Sequence, residues 1–295
     1  MRRQFRDTIL ELASQDPGLV LLFGDVSVYL FKEFSDRYPD RFYNLGINEN
    51  TIVSAAAGLA AVGLAPYCHT IAPFLTERSY EQIKLDLCYN RFPATLVSCG
   101  ATFDYAWDGA THHSYTDLAI LRLLPGLEVY QPGSRRELDA LLRARRRSGS
   151  PAYFRLSDHP HCEELPVEPG RGVILADKGS RVTVATAGPI LANVLPACAD
   201  LDVNLLYFHT LKPMDRELVA QFAHTHILVV HDAFGLHEAV HEVPGLRTYR
   251  HGLRDEFCCT YGTLPDIRAS VGLDVQGIRE QARRLLASLA AAPHA

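Results

Sequence analysis

The chain has 295 residues, 47% hydrophobic and 21% charged, with a formal net charge of −5; this is the composition of a globular protein long enough for two domains and carries no basic footprint for nucleic acid. No stretch approaches the roughly 20 apolar residues of a membrane span, and the start Met1-Arg2-Arg3-Gln4-Phe5-Arg6-Asp7 lacks the apolar core of a signal peptide, so the expected location is the cytoplasm. The seven cysteines, Cys68, Cys88, Cys99, Cys162, Cys198, Cys258 and Cys259, form no C-x-x-C pair and signal neither a disulfide framework nor a zinc site.

In chain order, short apolar runs at 20–25, 95–100, 127–130 and 152–156 read as buried strands, with helical spacing between them, as at 135–147. The basic run Arg143-Ala144-Arg145-Arg146-Arg147 reads as a solvated helix end. From 159 to 180 the composition turns to Pro, Gly, Glu and Asp, the chemistry of a linker. A second unit follows, with strands at 181–187, 203–208 and 226–231, a helix at 190–200 and a terminal helix at 275–291. This alternation predicts an α/β protein of two doubly wound domains with mostly parallel sheets: 1–162, a linker at 163–180, and 181–295.

The first candidate for chemistry is Glu49, inside Gly46-Ile47-Asn48-Glu49-Asn50 and ahead of the small-residue helix pattern Ser54-Ala55-Ala56-Ala57-Gly58-Leu59-Ala60-Ala61. A carboxylate on so tightly packed a shelf is poorly solvated, and such a group holds a proton or shares one with a ligand nitrogen. Three other segments stand out: 66–82, which places Phe74 and Arg78 one turn apart if helical; Asp108-Gly109-Ala110-Thr111-His112-His113; and His209-Thr210-Leu211-Lys212-Pro213-Met214-Asp215. Taken singly, Phe74 suits a core and the histidines suit many roles.

Together and in this order they resemble the C-terminal half of transketolases, and specifically the C-terminal subunit of the split, two-gene form. Asp40-Arg41-Phe42-Tyr43-Asn44-Leu45-Gly46-Ile47-Asn48-Glu49-Asn50 is similar to the family's D-R-F-x-N-x-G-I-x-E-Q, 108–113 to D-G-x-T-H-Q, and 209–215 to H-T-x-K-P-x-D. The likeness covers nearly the whole chain, including Gly252-Leu253-Arg254-Asp255-Glu256-Phe257. It implies a pyrimidine-binding thiamine diphosphate fold followed by a transketolase C-terminal domain. It also implies transfer of a two-carbon ketol unit from a ketose to an aldehyde.

By the same resemblance, Glu49 hydrogen-bonds N1′ of the aminopyrimidine and favours its imino tautomer, Phe74 lies against that ring beside Ile71, and His112 and Asp108 contact substrate. Asp25 and Ser27 face substrate from a strand end, and Arg78 is either a ligand or a structural ion pair. No G-D-G motif with a downstream asparagine is present, so the diphosphate and its Mg2+ (or Ca2+) are expected on a separate N-terminal subunit, in an α2β2 assembly, with no metal ligands in this chain.

Three departures matter: Ile71 stands where the family places an aromatic, Ser98 and Cys99 where it carries a substrate-binding histidine, and Asp158 where an arginine would clasp a sugar phosphate. With Ser98 and Asp158 as substrate contacts, the expected substrate is unphosphorylated or belongs to specialised metabolism. The rival readings are the beta subunit of a 2-oxoacid dehydrogenase decarboxylase component, the chemically related deoxyxylulose phosphate synthase, and a non-catalytic partner subunit.

Overall fold

The structure is a computed structural model and describes residues 1–146 and 148–291; Arg147 of the basic run and residues 292–295 lie outside it. Its strands are β1 (Leu19–Phe23), β2 (Phe42–Asn44), β3 (Ala65–Ile71), β4 (Thr95–Cys99), β5 (Glu128–Tyr130), β6 (Ala152–Arg155), β7 (Val173–Ala176), β8 (Val182–Ala187), β9 (Asn204–Phe208), β10 (Thr210–Lys212), β11 (His226–Val230) and β12 (Arg247–His251). They form a seven-stranded sheet, β10-β5-β6-β4-β3-β1-β2, and a five-stranded sheet, β12-β11-β8-β9-β7. All ladders are parallel except β10 on β5 and β7 on β9.

The predicted mixed α/β architecture is therefore present, and its cause is visible in the strands. β1 is Leu-Val-Leu-Leu-Phe, buried at every position, as a strand covered by helices on both faces must be. On one face lies helix Glu49–Ala61, which buries Ile52, Val53, Ala56, Ala57 and Ala60; Ile52, Val53, Ala56 and Ala57 pack with Val20, Leu22 and Cys68. On the other lies helix Arg2–Gln15, whose Phe5, Ile9 and Leu12 join Leu21, Phe23, Phe31 and Phe34. Each fully buried apolar side chain of this kind contributes on the order of 2–3 kcal/mol.

Three segments differ from expectation. Residues 65–71 are the strand β3, so the 66–82 segment is helical only from Ala72 onward. Pro66 is tolerated because it stands at the beginning of the strand, before the β4 ladder opens at Tyr67. Residues 173–176, inside the expected linker, are the antiparallel edge strand β7. The described arginines of the basic run are not a free helix end: Arg143 pairs with Asp139 and Glu11, and buried Arg145 with Glu128.

From β2 inward the first sheet runs 2-1-3-4, so the chain reverses its direction of travel across the sheet between β1 and β3. Ligands of open α/β sheets sit beyond the carboxyl ends of the strands at such a switch point.

Candidate active site at the β1/β3 switch point

Glu49 stands at this reversal. It opens helix Glu49–Ala61 and is 1% exposed, so the burial expected from the small residues around it is realised. Thr70, near the carboxyl end of β3, donates its hydroxyl to Glu49 Oε1 at 3.4 Å. At the end of β1, Gly24 leaves room for that threonine: a Cβ there would stand 2.8 Å from Thr70 Oγ1.

The carboxylate has a charged partner within the chain. Arg78 Nη1 lies 2.6 Å from Glu49 Oε2, and the same guanidinium sits 4.5 Å from the centre of the Phe74 ring. A guanidinium over an aromatic face is attracted by the ring quadrupole, so Phe74 orients the residue that anchors Glu49. Arg78 is thus a structural ion pair. Ile71, partly buried, caps the short helix Ala72–Thr76 that carries Phe74.

His112 meets Phe74 edge to face, with ring centroids 5.2 Å apart. Thr111 Oγ1 donates to Asp108 O at 3.2 Å, and His112 Nδ1 lies 2.9 Å from the same hydroxyl. Thr111 thus holds the imidazole through Nδ1, which leaves Nε2 as the ring nitrogen for proton exchange. Asp108 is exposed at the start of this loop.

In the turn after β1, Asp25 is exposed, whereas Ser27, expected to face substrate, is buried with its hydroxyl on His69. Asp25 and Ser27 both have φ of 66°, left-handed backbone in non-glycine residues, which costs of order 1–3 kcal/mol each and concentrates where function demands it. Asn44, at the end of β2, holds exposed Asp25 through bonds of 2.8 and 3.0 Å. Beneath, His69 donates Nδ1–H to Val97 O at 2.7 Å, which leaves Nε2, 3.2 Å from Ser27 Oγ, to accept the serine proton. Burial pushes this imidazole down to about 4, so it stays neutral.

The remaining candidates fall elsewhere. Ser98 is corrected: it is fully buried and its hydroxyl is tied to Tyr153 OH at 2.7 Å, in a network that continues to Asp117 and Arg155, so no substrate reaches it. Asp158 lies at the end of β6 and is paired with Arg2 of the first helix, Nη2 to Oδ2 at 2.9 Å. The sequence reading missed Thr70, Gly24, Asn44, Tyr105 and Arg2. Gly24-Asp25 at a strand end was a usable signal for the first two, but nothing local marked Arg2, whose partner is 156 residues away.

The residues at the switch point suit a planar nitrogen heterocycle: a buried carboxylate to bind a ring nitrogen, with a flat aromatic and an aliphatic side chain beside it. Among the described residues no group of three or more His, Cys, Asp or Glu side chains is placed to hold a metal ion.

Residues 1–159 match the family described as transketolase, pyrimidine binding domain. An uncharacterized 33.6 kDa protein in the fasciation locus of Rhodococcoides fascians is 34% identical over 72% of this chain and 67% of its own. The 6-deoxy-6-sulfo-D-fructose transketolase subunit SqwH of a Clostridium species is 30% identical over 76% of this chain and 72% of its own. The 1-deoxy-D-xylulose-5-phosphate synthase of Syntrophus aciditrophicus is 30% identical over 96% of this chain, which spans only 46% of that synthase. Among solved structures, a split gene transketolase in the form of an inactive beta4 tetramer superposes with a TM-score of 0.86 at 27% identity, covering 96% of this chain and 97% of the other. The chain belongs to the transketolase family of thiamine diphosphate-dependent enzymes, whose pyrimidine-binding domain it carries.

Proposed function

We propose that this chain is the pyrimidine-binding subunit of a split transketolase, active in ketol transfer from a ketose to an aldehyde when joined to a separate diphosphate-binding subunit. The observation that carries the reading is the buried Glu49 carboxylate at the β1/β3 switch point, linked through Arg78 to the half-buried Phe74, which in turn meets His112. Glu49, Phe74 and Ile71 would hold the aminopyrimidine of thiamine diphosphate, with Mg2+ and the diphosphate on the partner. When bound, the cofactor supplies a nucleophilic carbon and an electron sink for breaking the C–C bond beside a carbonyl.

The chain's own groups do the rest. Glu49 keeps a proton at N1′, and Arg78 keeps Glu49 in place. His112 Nε2 takes and returns the proton of a substrate hydroxyl, while Asp108 and Asp25 accept hydrogen bonds from other hydroxyls. Next to Glu49 the surface is apolar and open, with Ile47 71%, Tyr43 43% and Leu45 37% exposed. That supports a site completed at a subunit interface, in an α2β2 assembly.

The proposed division is a pyrimidine domain over 1–162 and a C-terminal domain over 181–295, with β7 bringing the second body forward into the 163–180 segment. No helix among the described residues is long and apolar enough to cross a membrane, and a cytoplasmic location is proposed. The departures at Ile71 and Asp158 support a substrate other than the usual pentose phosphates.

Reconstitution with the diphosphate-binding subunit tests the reading. Ketol transfer and 2-oxoacid decarboxylation are assayed side by side, with and without the partner. Ketol transfer only in the mixture is expected. Turnover by the single chain, or decarboxylation of pyruvate in place of ketol transfer, would overturn it, the second result favouring a dehydrogenase component or the synthase.

A further inference from the structure

A continuous wall leads from Phe74 to the far end of the cleft. Beyond His112 stands Tyr105, edge-on to the imidazole at 6.1 Å. Its ring fills the place of a side chain at Gly100, where φ is +80° and a Cβ would collide with the tyrosine, and its hydroxyl lies 3.5 Å from Cys99 Sγ at the end of β4. The Arg2 guanidinium is close enough to act electrostatically on both Tyr105 and Cys99, as is Asp158.

Arg2 and Asp158 face each other through two contacts, Nη2 to Oδ2 at 2.9 Å and Nε to Oδ1 at 3.3 Å, with both side chains partly open to solvent. Asp158 is held rigidly for this. Its backbone N–H donates to Asp104 Oδ2 at 2.8 Å and the adjacent Ser157 hydroxyl donates to Asp104 Oδ1 at 2.9 Å, so the end of β6 is clasped to the loop that carries Tyr105, Asp108 and His112. The Met1 ammonium lies beside this pair, 3.2 Å from Ser157 O, and Arg78 at the Phe74 end is taken by Glu49.

We infer that Arg2 is the specificity-determining cation of this cleft and that Asp158 masks it, so the site selects substrates whose distal end is uncharged. The inference rests on the ketol-transfer reading of the same cleft. The fork through Nε and Nη2 takes two of the five guanidinium N–H donors, and the fixed carboxylate both offsets the charge and repels a phosphate approaching the three that remain. The mask is a single fixed side chain, so its removal converts the preference instead of abolishing the site.

The test compares wild type with Asp158→Asn, Asp158→Ser and the double variant Arg2→Leu/Asp158→Asn. In the reconstituted complex, kcat/KM is measured for D-glyceraldehyde and for its 3-phosphate as acceptors. On the full chain alone, glycerol 3-phosphate binding is followed by calorimetry, with thermal unfolding to confirm the fold. Wild type should prefer the free aldehyde, and each single variant should move the ratio towards the phosphate by about tenfold. The chain should gain glycerol 3-phosphate affinity by a similar factor, and the double variant should lose both gains.

An unchanged ratio and unchanged binding in both folded single variants would overturn the inference, as would a gain that persists without Arg2. Binding gained by the single variants without turnover of either aldehyde would support the Arg2 mask and refute the ketol-transfer reading instead.

Discussion

Two segments of this chain carry the same kinds of residue and do opposite work. Residues 108–113 and 209–215 each offer histidine, threonine and aspartate within seven positions. The first forms a loop after β4 in which Asp108 is exposed and half-buried His112 meets Phe74, while His113 packs inward against Phe103. The second is almost entirely consumed by the fold. Thr210 pairs with Tyr130, Lys212 Nζ donates to Arg122 O at 2.8 Å, and Asp215 accepts from Leu218 N and Gly172 N, both at 3.0 Å. Polar residue type therefore announces neither chemistry nor scaffolding. Position relative to the sheet edge, and whether donors and acceptors are already used, separate them.

The sharpest way to break this contrast is at Glu49. Glu49→Gln in the reconstituted complex should lower kcat by about 10²–10⁴-fold with assembly intact, checked by turnover beside sedimentation. Retained turnover would place the chemistry elsewhere. Next is the buried network behind the cleft, where Arg155 lies 3.0 Å from Asp117 and 3.8 Å from Asp232 with all three buried. Arg155→Met leaves buried Asp117 without its cation, Asp232 keeping Arg268, and should cost about 3–5 kcal/mol, read from urea unfolding.

On the scaffolding motif, Asp215→Ala removes a helix cap and should cost about 1–2 kcal/mol while leaving kcat within twofold. A large fall in kcat at unchanged stability would give 209–215 a catalytic share. The smallest effect is a pH slope. Burial, opposed by hydrogen bonds from Asp158 N and Ser157, pushes the Asp104 carboxyl up to about 7 from an ordinary 3.8. The folded state then binds this proton more tightly than the unfolded one, so stability falls as pH rises from about 4 to 7 and levels above. Asp104→Asn should remove that slope, and urea titrations at pH 4.5, 6 and 7.5 would show whether it does.

Much of the fold was legible because buried parallel strands are continuous apolar runs, as in β1, β4, β8 and β11. β3 was hidden by Pro66, His69 and Thr70, residues that serve the strand's start and its functional end. β12, with Arg247 and Arg250, is a partly exposed edge whose composition resembles a loop. In the site, Glu49 was legible from its place ahead of a small-residue helix, and it is buried. Arg78 was noticed for its spacing from Phe74, but its ion pair crosses 29 residues and no local pattern encodes that. Ser98 misled because an inward-facing hydroxyl on a central strand looks the same in sequence as one at the strand's open end.

β10 belongs by sequence to the second unit but lies on the outer edge of the first sheet, antiparallel to β5. The first unit therefore does not own a finished boundary. A fragment cut at the linker would present the β5 edge with its backbone donors and acceptors unpaired, a template for another chain. For this protein the second unit acts as a built-in safeguard against aggregation, and dissecting the two for separate study means supplying that strand from elsewhere.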